Sequence, residues 1–588
     1  MSEKVTGKAF DFKLFKRLLS YIKRYRFQFV LTTFSVISLA ILAAVRPVLL
    51  KIIIDDYILH KNSVMLLKYS LLMFGVLLFE VLFQFLFMFF ANWLGQHIIK
   101  DLRTQLFERM LRFKMQYFNN SPVGKLVTRV VSDIETIASI FGQGLFVIIS
   151  DLLKMVVLIG VMFWLDWRLS LIVIGVLPII VYATKIFQIK IKKTFQEVRN
   201  QVSNLNSFVQ ERITGMKIVQ LFTREEIEYK KFVEINDKHK KAHVKTVWYY
   251  SIFFPIVDVI SSLTLGILVW YGGLRATGSG EEMFGTITSF ILISSTLFRP
   301  LRQIADKFNT LQMGMVAAER VFNVLDEDAE ETDLGKLHAD AIKGTIKFKN
   351  VLFSYIEGEP VLKRVSFEVK QGETVAVVGA TGAGKSTIIS LLNRFYTINS
   401  GTITIDDIDI YTFTLHSLRS QIGVVLQDVF LFSESIYNNI TLNNAAISLE
   451  EVKEAAKKIG IHDFIMSLPN NYHYNVKERG SMLSSGQRQL IAFLRVYVSK
   501  PAILVLDEAT SSIDARSEEL IQKATETITQ NRTSIIIAHR LATIKKADRI
   551  IVMNKGEIVE QGTHQELLQQ KGYYSRLYEI QFETAKAS

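Results

Sequence analysis

The sequence contains no cysteine, which excludes disulfide bonds, thiol catalysis and cysteine-ligated metal sites. Proline is also scarce, with 8 in 588 residues, and this scarcity favours long, unbroken helices. Charged residues make up only 21% of the chain, below the roughly 25% of soluble domains, whereas hydrophobic residues make up 49%. The composition therefore excludes a disordered chain and disfavours a wholly soluble one.

The hydrophobic residues concentrate in the first half, in six runs of the length that crosses a bilayer, about 20 residues. One such run also fits a buried core helix, but six in succession predict a membrane domain. Pro178 interrupts the fourth run, which makes that span the weakest of the six. The runs cover roughly residues 27–54, 64–93, 137–165, 169–183, 247–272 and 284–301.

The basic residues between these runs are unevenly distributed. Residues 1–26, 97–136 and 185–246 hold 8, 7 and 14 Lys or Arg, whereas each of the three short loops holds one. The positive-inside rule places the basic segments in the cytoplasm, so we expect a multi-pass protein with both termini cytoplasmic.

A net charge of +13 is also compatible with nucleic-acid binding. However, residues 1–325 carry +17 and residues 326–588 carry −4. The excess therefore reflects membrane topology, and we expect no nucleic-acid partner.

The two long basic loops keep apolar residues at helical spacing, which predicts helices that extend well into the cytoplasm. An acidic, irregular stretch then separates the membrane half from a half rich in short strands. We predict a transmembrane domain over 1–325, a linker over 326–345 and a second, strand-rich domain over 346–588.

The motifs of the domain over 346–588 predict an ATP-binding domain. The first is a buried strand, 374–378, followed directly by a glycine-rich loop and a helical run. This is the context of a P-loop, whose backbone N–H groups surround phosphate at a helix N-terminus. Lys385 would neutralise phosphate charge and Ser386 would bind Mg²⁺. The residues expected to contact the nucleotide are Gly379, Ala380, Thr381, Gly382, Ala383, Gly384, Lys385, Ser386 and Thr387.

A second strand, 502–506, ends in Asp507 and Glu508. An apolar strand followed by an acid is typical of a Walker B motif, with Asp507 directed to Mg²⁺ and Glu508 placed to orient or deprotonate water. The alternative is a buried strand capped by solvated acids, which is the weaker explanation after a P-loop.

Between these motifs stands Leu483-Ser484-Ser485-Gly486-Gln487, which resembles the Leu-Ser-Gly-Gly-Gln signature of the ATP-binding cassette family. Ser485 replaces the usual first glycine, and we expect this small change to preserve function. The resemblance implies that Ser484, Gly486 and Gln487 contact ATP.

Other residues match motifs of this family in their usual order. Tyr355 matches the aromatic residue that stacks on adenine, and Gln427 matches a glutamine that contacts Mg²⁺ and water. Asp514 matches the D-loop, and His539 matches the switch histidine near the γ-phosphate. The resemblance thus implies that the catalytic residues are Glu508, His539 and Gln427, and that the Mg²⁺ ligands are Ser386, Gln427 and Asp507.

The resemblance extends to the membrane half. The segment 124–133 is similar to the first cytoplasmic loop of exporters, 211–215 to the second, and Glu478-Arg479-Gly480 to an exporter-specific segment. The chain therefore resembles a type IV ABC exporter half-transporter, similar to lipid A flippases and bacterial multidrug exporters. The implied fold is an all-α six-helix transmembrane domain with long cytoplasmic extensions, followed by an α/β P-loop nucleotide-binding domain.

One P-loop and one signature per chain imply, by this resemblance, a dimer with ATP held between two chains. Short helices near 113–119 and 210–215 would transmit closure of the cassettes. A homodimer is favoured because Glu508 and His539 are both present, although the competent half of a heterodimer would look the same.

The implied function is ATP-driven export or flipping of a lipid or amphipathic drug-like substrate across the plasma membrane, which we expect to be a bacterial inner membrane. An ATP-gated channel or regulatory membrane protein on the same fold is the alternative.

The substrate stays open at this stage. Glu80, Asp151, Lys154 and Asp258 lie within apolar spans, where ionisable groups are functional candidates. Asp151 and Lys154 are three residues apart on one helix face, so they could also simply pair. Arg299 is nearer a span end, where it could extend its charge toward water or meet an anionic lipid phosphate.

Overall fold

The structure, a computed structural model, describes the backbone of residues 11–279, 283–339, 342–507, 515–538 and 540–579. The side chains of residues 278, 279, 302, 304–306, 515 and 516 also lie outside this description. Two compact units divide the chain: residues 1–111 and 121–328 form the first, and residues 112–120 and 329–588 the second. The short segment 112–120 therefore packs with the second unit, although it interrupts the first along the chain.

The described part of the first unit is built from helices, and six helical stretches within it are long and apolar enough to span a membrane. The second of them, Ser63–Leu111, has 49 residues and is about 74 Å long, far more than a bilayer needs. The six-helix prediction and the long helical extensions are thus confirmed. The six stretches are Phe12–Ile58, Ser63–Leu111, Val123–Leu165, Trp167–Thr214, Glu225–Thr277 and Phe284–Leu301.

Several of these stretches contain short turns of 3₁₀ or π-helix. The helices of the first half are Phe12–Ser20, Tyr21–Tyr25 (3₁₀), Arg26–Ile52, Ile53–Ile58 (π), Ser63–Leu111, Met115–Asn120, Val123–Thr128, Arg129–Asp133 (π), Ile134–Ser139, Ile140–Leu145 (π), Phe146–Leu165, Trp167–Thr214, Met216–Leu221, Glu225–Ser279 and Phe284–Leu325.

The structure corrects two local predictions, one about the fourth span and one about the short helix that follows it. Pro178 does not interrupt it, because Trp167–Thr214 continues through the proline, which neighbouring helices allow in membrane proteins. The second short cytoplasmic helix is Met216–Leu221 rather than 210–215. The long helix ends at Thr214 because Gly215 leaves the helical conformation, with φ −88° and ψ 15°. The first short helix, Met115–Asn120, lies close to where it was expected.

Asp166 fixes the turn between the third and fourth spans. Its carboxylate accepts hydrogen bonds from the backbone N–H groups of Arg168 (2.8 Å) and Leu169 (2.9 Å), which caps the fourth span. The same carboxylate forms an ion pair with Arg275 near the end of the fifth span. One acidic residue thus joins three successive spans at their short-loop end.

The first unit has a buried interior and a surface rich in exposed apolar side chains. Phe290, Leu297 and Phe298 of the sixth span are buried, and Phe187 stacks on Phe253 at 4.1 Å between the fourth and fifth spans. By contrast, large side chains of the second span are exposed on the surface of the single chain. Examples are Phe74 (59% exposed), Phe79 (58%) and Phe85 (62%).

The second unit contains two sheets, and its α/β character confirms the predicted fold class. The strands are β1 Ile346–Ser354, β2 Pro360–Val369, β3 Thr374–Gly379, β4 Ser400–Ile405, β5 Ile408–Asp409, β6 Ile422–Val425, β7 Ile503–Asp507, β8 Thr533–Ile537, β9 Arg549–Asn554 and β10 Glu557–Gly562. A four-stranded antiparallel sheet has the order β2-β1-β4-β5, and a six-stranded sheet has the order β10-β9-β3-β8-β7-β6. In the six-stranded sheet β9, β3, β8, β7 and β6 run parallel, and β10 is antiparallel.

Helices cover one face of the six-stranded sheet, and the four-stranded sheet together with helix Lys385–Leu392 covers the other. Both faces of the central strands are therefore buried, which explains why these strands are apolar on both sides. One apolar cluster contains Ala376 and Leu504, and another contains Val375 and Val505, so alternate residues of β3 and β7 enter different cores. The helices are Lys385–Leu392, Leu415–Ser420, Ile436–Thr441, Leu449–Ile459, His462–Ser467, Asn471–His473 (3₁₀), Glu478–Gly480 (3₁₀), Ser485–Ser499, Ala515–Thr529, Leu541–Lys546, His564–Gln569 and Tyr573–Tyr578.

Candidate nucleotide-binding site

The candidate site lies at one edge of the six-stranded sheet. Because β3, β8, β7 and β6 are parallel, their carboxyl ends meet at the same edge. The P-loop follows β3, Asp507 ends β7, and Gln427 follows β6. Residues far apart in sequence therefore converge where open α/β sheets bind ligands.

The glycines of the P-loop have conformations and contacts that a side chain would disturb. Gly379 has φ +156°, and a Cβ there would lie 2.3 Å from the Met553 carbonyl oxygen of β9. Gly384 has φ +98°, and a Cβ there would lie 2.7 Å from Leu362. Gly384 also precedes helix Lys385–Leu392 without a side chain to cap it, which leaves the first N–H groups for an anion.

Lys385 is buried and folds back over the loop. Its Nζ donates hydrogen bonds to the carbonyl oxygens of Gly379 (2.7 Å) and Ala380 (3.1 Å). Burial lowers the pKa of the ammonium, and the nearby charge of Asp507 acts in the opposite direction. The cation is thus held at the centre of the loop, where phosphate charge would compensate its desolvation.

Ser386 and Asp507 bring two oxygen ligands together. The Ser386 hydroxyl donates to the Asp507 carboxylate across 3.3 Å, although the residues are 121 positions apart. Asp507 is buried at the end of β7. Hydroxyl and carboxylate oxygens are ligands that Mg²⁺ prefers, and Mg²⁺ sites in nucleotide enzymes use few protein ligands plus phosphate and water. The pair therefore fits Mg²⁺, even though no cluster of three His, Cys, Asp or Glu occurs among the described residues.

Tyr355 lies beside the P-loop helix. Its hydroxyl donates to the Thr387 hydroxyl at 3.3 Å, and its ring contacts Phe353 and Tyr396 edge to face, with centroids 4.8 Å and 4.9 Å away. The residue is 42% exposed, so a ring face is accessible to an adenine base.

The ring of Tyr396 connects Tyr355 to the short helix Met115–Asn120. The side-chain amide of Asn119 donates a hydrogen bond to the Tyr396 hydroxyl. A cavity of ≈390 Å³ adjoins these residues and is also lined by Lys114 and Gln116. Neither Asn119 nor Tyr396 was singled out from the sequence, because neither carries a motif that indicates this contact.

The signature segment begins a helix. Ser484 caps helix Ser485–Ser499 by accepting a hydrogen bond from the Gln487 backbone N–H (3.2 Å), and Gln487 Oε1 accepts one from the Ser484 N–H (2.9 Å). Ser484 and Ser485 are exposed, whereas Gly486 is buried. The helix therefore presents its positive end at the surface, where it can meet an anion.

The remaining predicted residues divide into two groups. Gln427 is exposed and lies just beyond β6. Glu508, Asp514 and His539 lie outside the described residues, so their roles stay predictions. In sequence, Glu508 directly follows β7 and His539 comes two positions after β8.

Comparisons with known proteins agree with this architecture. The family profile described as the ABC transporter transmembrane region matches residues 29–301, and the profile described as ABC transporter matches residues 362–511. The boundary between them falls between the spans and the P-loop.

Full-length relatives cover both parts. The ATP-dependent lipid A-core flippase of Syntrophus aciditrophicus is 33% identical over 574 residues, which span 97% of this chain and 95% of that protein. The probable multidrug resistance ABC transporter ATP-binding/permease protein YheH of Bacillus subtilis is 37% identical over 509 residues, 86% of this chain and 76% of that protein. A solved bacterial Atm1-family ABC exporter with ATP bound has TM-score 0.76 and 28% identity, covering 95% of this chain and 98% of the other.

The chain therefore belongs to the ABC transporter family. It is an ABC exporter half-transporter: a multi-pass membrane protein that binds and hydrolyses ATP to drive export. Because it carries one transmembrane half and one cassette, it works as a dimer in a lipid membrane.

Proposed function

We propose that two copies of this chain export or flip a lipid or amphipathic drug-like molecule, using ATP held at two sites shared between the chains. The observation that carries this proposal is the contact of Ser386 with Asp507 beside Lys385, at the sheet edge where a phosphate-binding loop ends. Domain boundaries of 1–325 and 346–588 belong to the same proposal.

The proposed roles follow from chemistry at this edge. Ser386, Asp507 and Gln427 hold Mg²⁺, which when bound neutralises phosphate charge. Glu508 accepts a proton from the attacking water, and His539 contacts the γ-phosphate. Lys385 and the P-loop N–H groups hold the phosphates, and Tyr355 stacks on adenine.

The signature supports sharing of each site between chains. Ser484 is exposed at the N-terminus of helix Ser485–Ser499, and Gly486 lies buried in its first turn. The exposed helix end suits the γ-phosphate of ATP held by the P-loop of a second chain. Asp514 lies near the same interface in this proposal. Glu508 and His539 are both present, which favours a homodimer with two competent sites.

ATP binding closes the cassettes, and the short helices Met115–Asn120 and Met216–Leu221 pass that closure to the spans. The spans then change from inward-facing to outward-facing, and hydrolysis resets them. The charge distribution supports a cytoplasmic cassette and cytoplasmic termini in a bacterial inner membrane.

Paired variants in the full-length protein in lipid nanodiscs test the ATP site. We expect Glu508→Gln to bind ATP like the wild type but to lose at least about a hundredfold in turnover, because proton transfer is lost. We expect Lys385→Ala to weaken ATP binding itself. Glu557→Gln, an exposed acid on β10, is the matched control and should change neither property.

Wild-type turnover in Glu508→Gln, or unchanged ATP affinity in Lys385→Ala, would contradict the proposal. Purification of the tagged chain alone separates the two dimer arrangements. A homodimer hydrolyses ATP without a second gene product, whereas the competent half of a heterodimer does not.

A further inference from the structure

The linker after the sixth span is bound tightly to the second unit. The Glu331 carboxylate accepts two hydrogen bonds from the Arg419 guanidinium, one from Nη1 at 3.0 Å and one from Nη2 at 2.7 Å. Asp333 accepts one from the backbone N–H of Leu415 at 2.8 Å. Both partners belong to helix Leu415–Ser420, although they lie 88 and 82 positions later in the chain. The linker and this helix therefore form one local structure.

Arg419 connects this anchorage to the segment that leaves the P-loop helix. Its guanidinium also donates to the carbonyl oxygens of Asn393 (3.1 Å) and Arg394 (3.3 Å) and lies over the Phe395 ring, 5.0 Å from the ring centre. Arginine suits this position because its planar fork carries five N–H donors in a fixed arrangement. One side chain thus joins Glu331 of the linker to residues 393–395.

The next residue, Tyr396, supports the ring that we propose to stack on adenine. The Tyr396 ring contacts Tyr355 edge to face, with centroids 4.9 Å apart, and its hydroxyl accepts a hydrogen bond from the Asn119 amide. Tyr396 is therefore held through the backbone by the anchored segment 393–395, and at its hydroxyl by the short helix Met115–Asn120. The position of Tyr355 depends on both.

A cavity lies directly beside this pair of rings. It has a volume of ≈390 Å³, and Tyr355, Tyr396 and Glu331 are among the residues that line it. Because protein interiors are otherwise close-packed, an adjoining cavity leaves the two rings room to tilt. The contacts that anchor Tyr396 therefore decide how firmly Tyr355 is oriented.

We propose that Glu331 and Arg419 are positioning residues for ATP, which act through Tyr396 to hold Tyr355 in the orientation that stacks on adenine. This role rests on the proposed stacking by Tyr355, and it assigns to the linker an influence on the affinity for the base. The phosphates are held separately by the P-loop. Loosening of Tyr355 should therefore weaken binding of the base and leave binding of the phosphates unchanged.

The test compares ATP with tripolyphosphate, which presents phosphates without a base, on full-length protein in lipid nanodiscs. We expect Glu331→Gln to raise KM for ATP about fivefold with kcat within about twofold of wild type, because binding is weakened equally before and during the reaction. The inhibition constant of tripolyphosphate, measured as a competitor of ATP, should not change. Glu327→Gln, an exposed acid in the same linker, is the matched control and should behave like wild type.

A second variant tests whether the two residues act together. Arg419→Lys keeps the positive charge but loses the fork, so we expect KM for ATP to rise at least as much as in Glu331→Gln. Adding Glu331→Gln to Arg419→Lys should raise KM little further, since residues that share one contact are not additive. Tripolyphosphate inhibition in the same samples shows that the P-loop is intact.

Unchanged KM in both Glu331→Gln and Arg419→Lys would overturn the positioning role, and so would an equal loss of affinity for ATP and tripolyphosphate. Tyr355→Ala separates that failure from a failure of the proposed function. We expect Tyr355→Ala to raise KM for ATP at least about tenfold, because stacking on the base is lost. If it does so while the linker variants match wild type, the adenine site stands and the positioning role falls. Wild-type KM in Tyr355→Ala would overturn both.

Discussion

The side chain of Asn119 donates a hydrogen bond to the hydroxyl of Tyr396, 277 positions later in the chain. The Tyr396 ring also packs edge to face on Tyr355, so a short helix from between the second and third spans is linked to the expected adenine platform through one aromatic ring. Backbone hydrogen bonds hold the same segment in place. The Lys114 N–H donates to the carbonyl oxygen of Ala329 (2.8 Å), and the Glu331 N–H donates to the carbonyl oxygen of Arg112 (2.8 Å).

Removing this side-chain bond should loosen the short helix without unfolding the cassette. We expect Asn119→Ala and Tyr396→Phe each to raise hydrogen–deuterium exchange across residues 115–120 about fivefold, which corresponds to about 1 kcal/mol for one hydrogen bond. Tyr396→Phe keeps the ring against Tyr355, so it isolates the hydroxyl.

Asn120→Ala is the control, because Asn120 is an exposed amide in the same turn. Equal loosening in Asn120→Ala would show that the effect comes from the helix end rather than from the bond to Tyr396. Unchanged exchange in both test variants would also contradict the prediction.

Features formed by consecutive residues could be predicted from the sequence, whereas contacts between elements far apart in the chain could not. The P-loop and the strand ending in Asp507 are local strings whose chemistry follows from residue type and spacing, and the apolar runs follow from bilayer thickness. The partner of Asp151 is different. Helical spacing shows only that Lys154 shares its face, whereas Lys307 comes from another helix 156 positions away.

The ends of the helices were the second feature that could not be predicted from the sequence. Helical periodicity continues across Gly215, so the sequence does not reveal that the long helix stops at Thr214 and a new one begins at Met216. Pro178 gave the opposite error: it predicted an interruption where the helix continues, because neighbouring helices can accommodate proline in a membrane helix. In both cases tertiary packing decides what the local pattern leaves open.

The unusual signature gives a second prediction. Ser484→Ala removes the cap of helix Ser485–Ser499 and should cost about 1 kcal/mol of stability, together with a large loss of ATPase if Ser484 contacts ATP.

Ser485→Gly restores the family consensus at an exposed position in the first turn. We expect it to leave turnover within about twofold, because that side chain takes no part in the capping box.

Thermal unfolding and ATPase of both variants in nanodiscs check these outcomes. A large rise in turnover for Ser485→Gly would show that the serine limits the signature of this chain. Full ATPase in Ser484→Ala would contradict the role of the Ser484 hydroxyl at the shared site.

A third prediction concerns the pH dependence of cassette stability. Glu373 precedes β3 and binds Arg549 at the start of β9 through two contacts, Nε–Oε1 at 2.8 Å and Nη2–Oε2 at 3.2 Å. Burial alone would raise the pKa of Glu373, but the hydrogen bonds and charge of Arg549 and the Lys370 N–H outweigh it and lower that pKa. The ionised carboxylate therefore stabilises the folded state.

The sign of the pH effect follows from this lowered pKa. The stabilisation is fully present above the ordinary glutamate pKa of 4.5 and is lost as the pH falls through the lower pKa of the folded protein. At pH 7 we expect Glu373→Gln to destabilise the cassette by roughly 2 kcal/mol, since a charge-assisted bond is lost. Below pH 4.5 the gap in unfolding midpoint between wild type and variant should narrow. Glu557→Gln should show no gap at either pH, and a gap for Glu373→Gln that is constant from pH 7 to pH 4 would contradict this role of the ion pair.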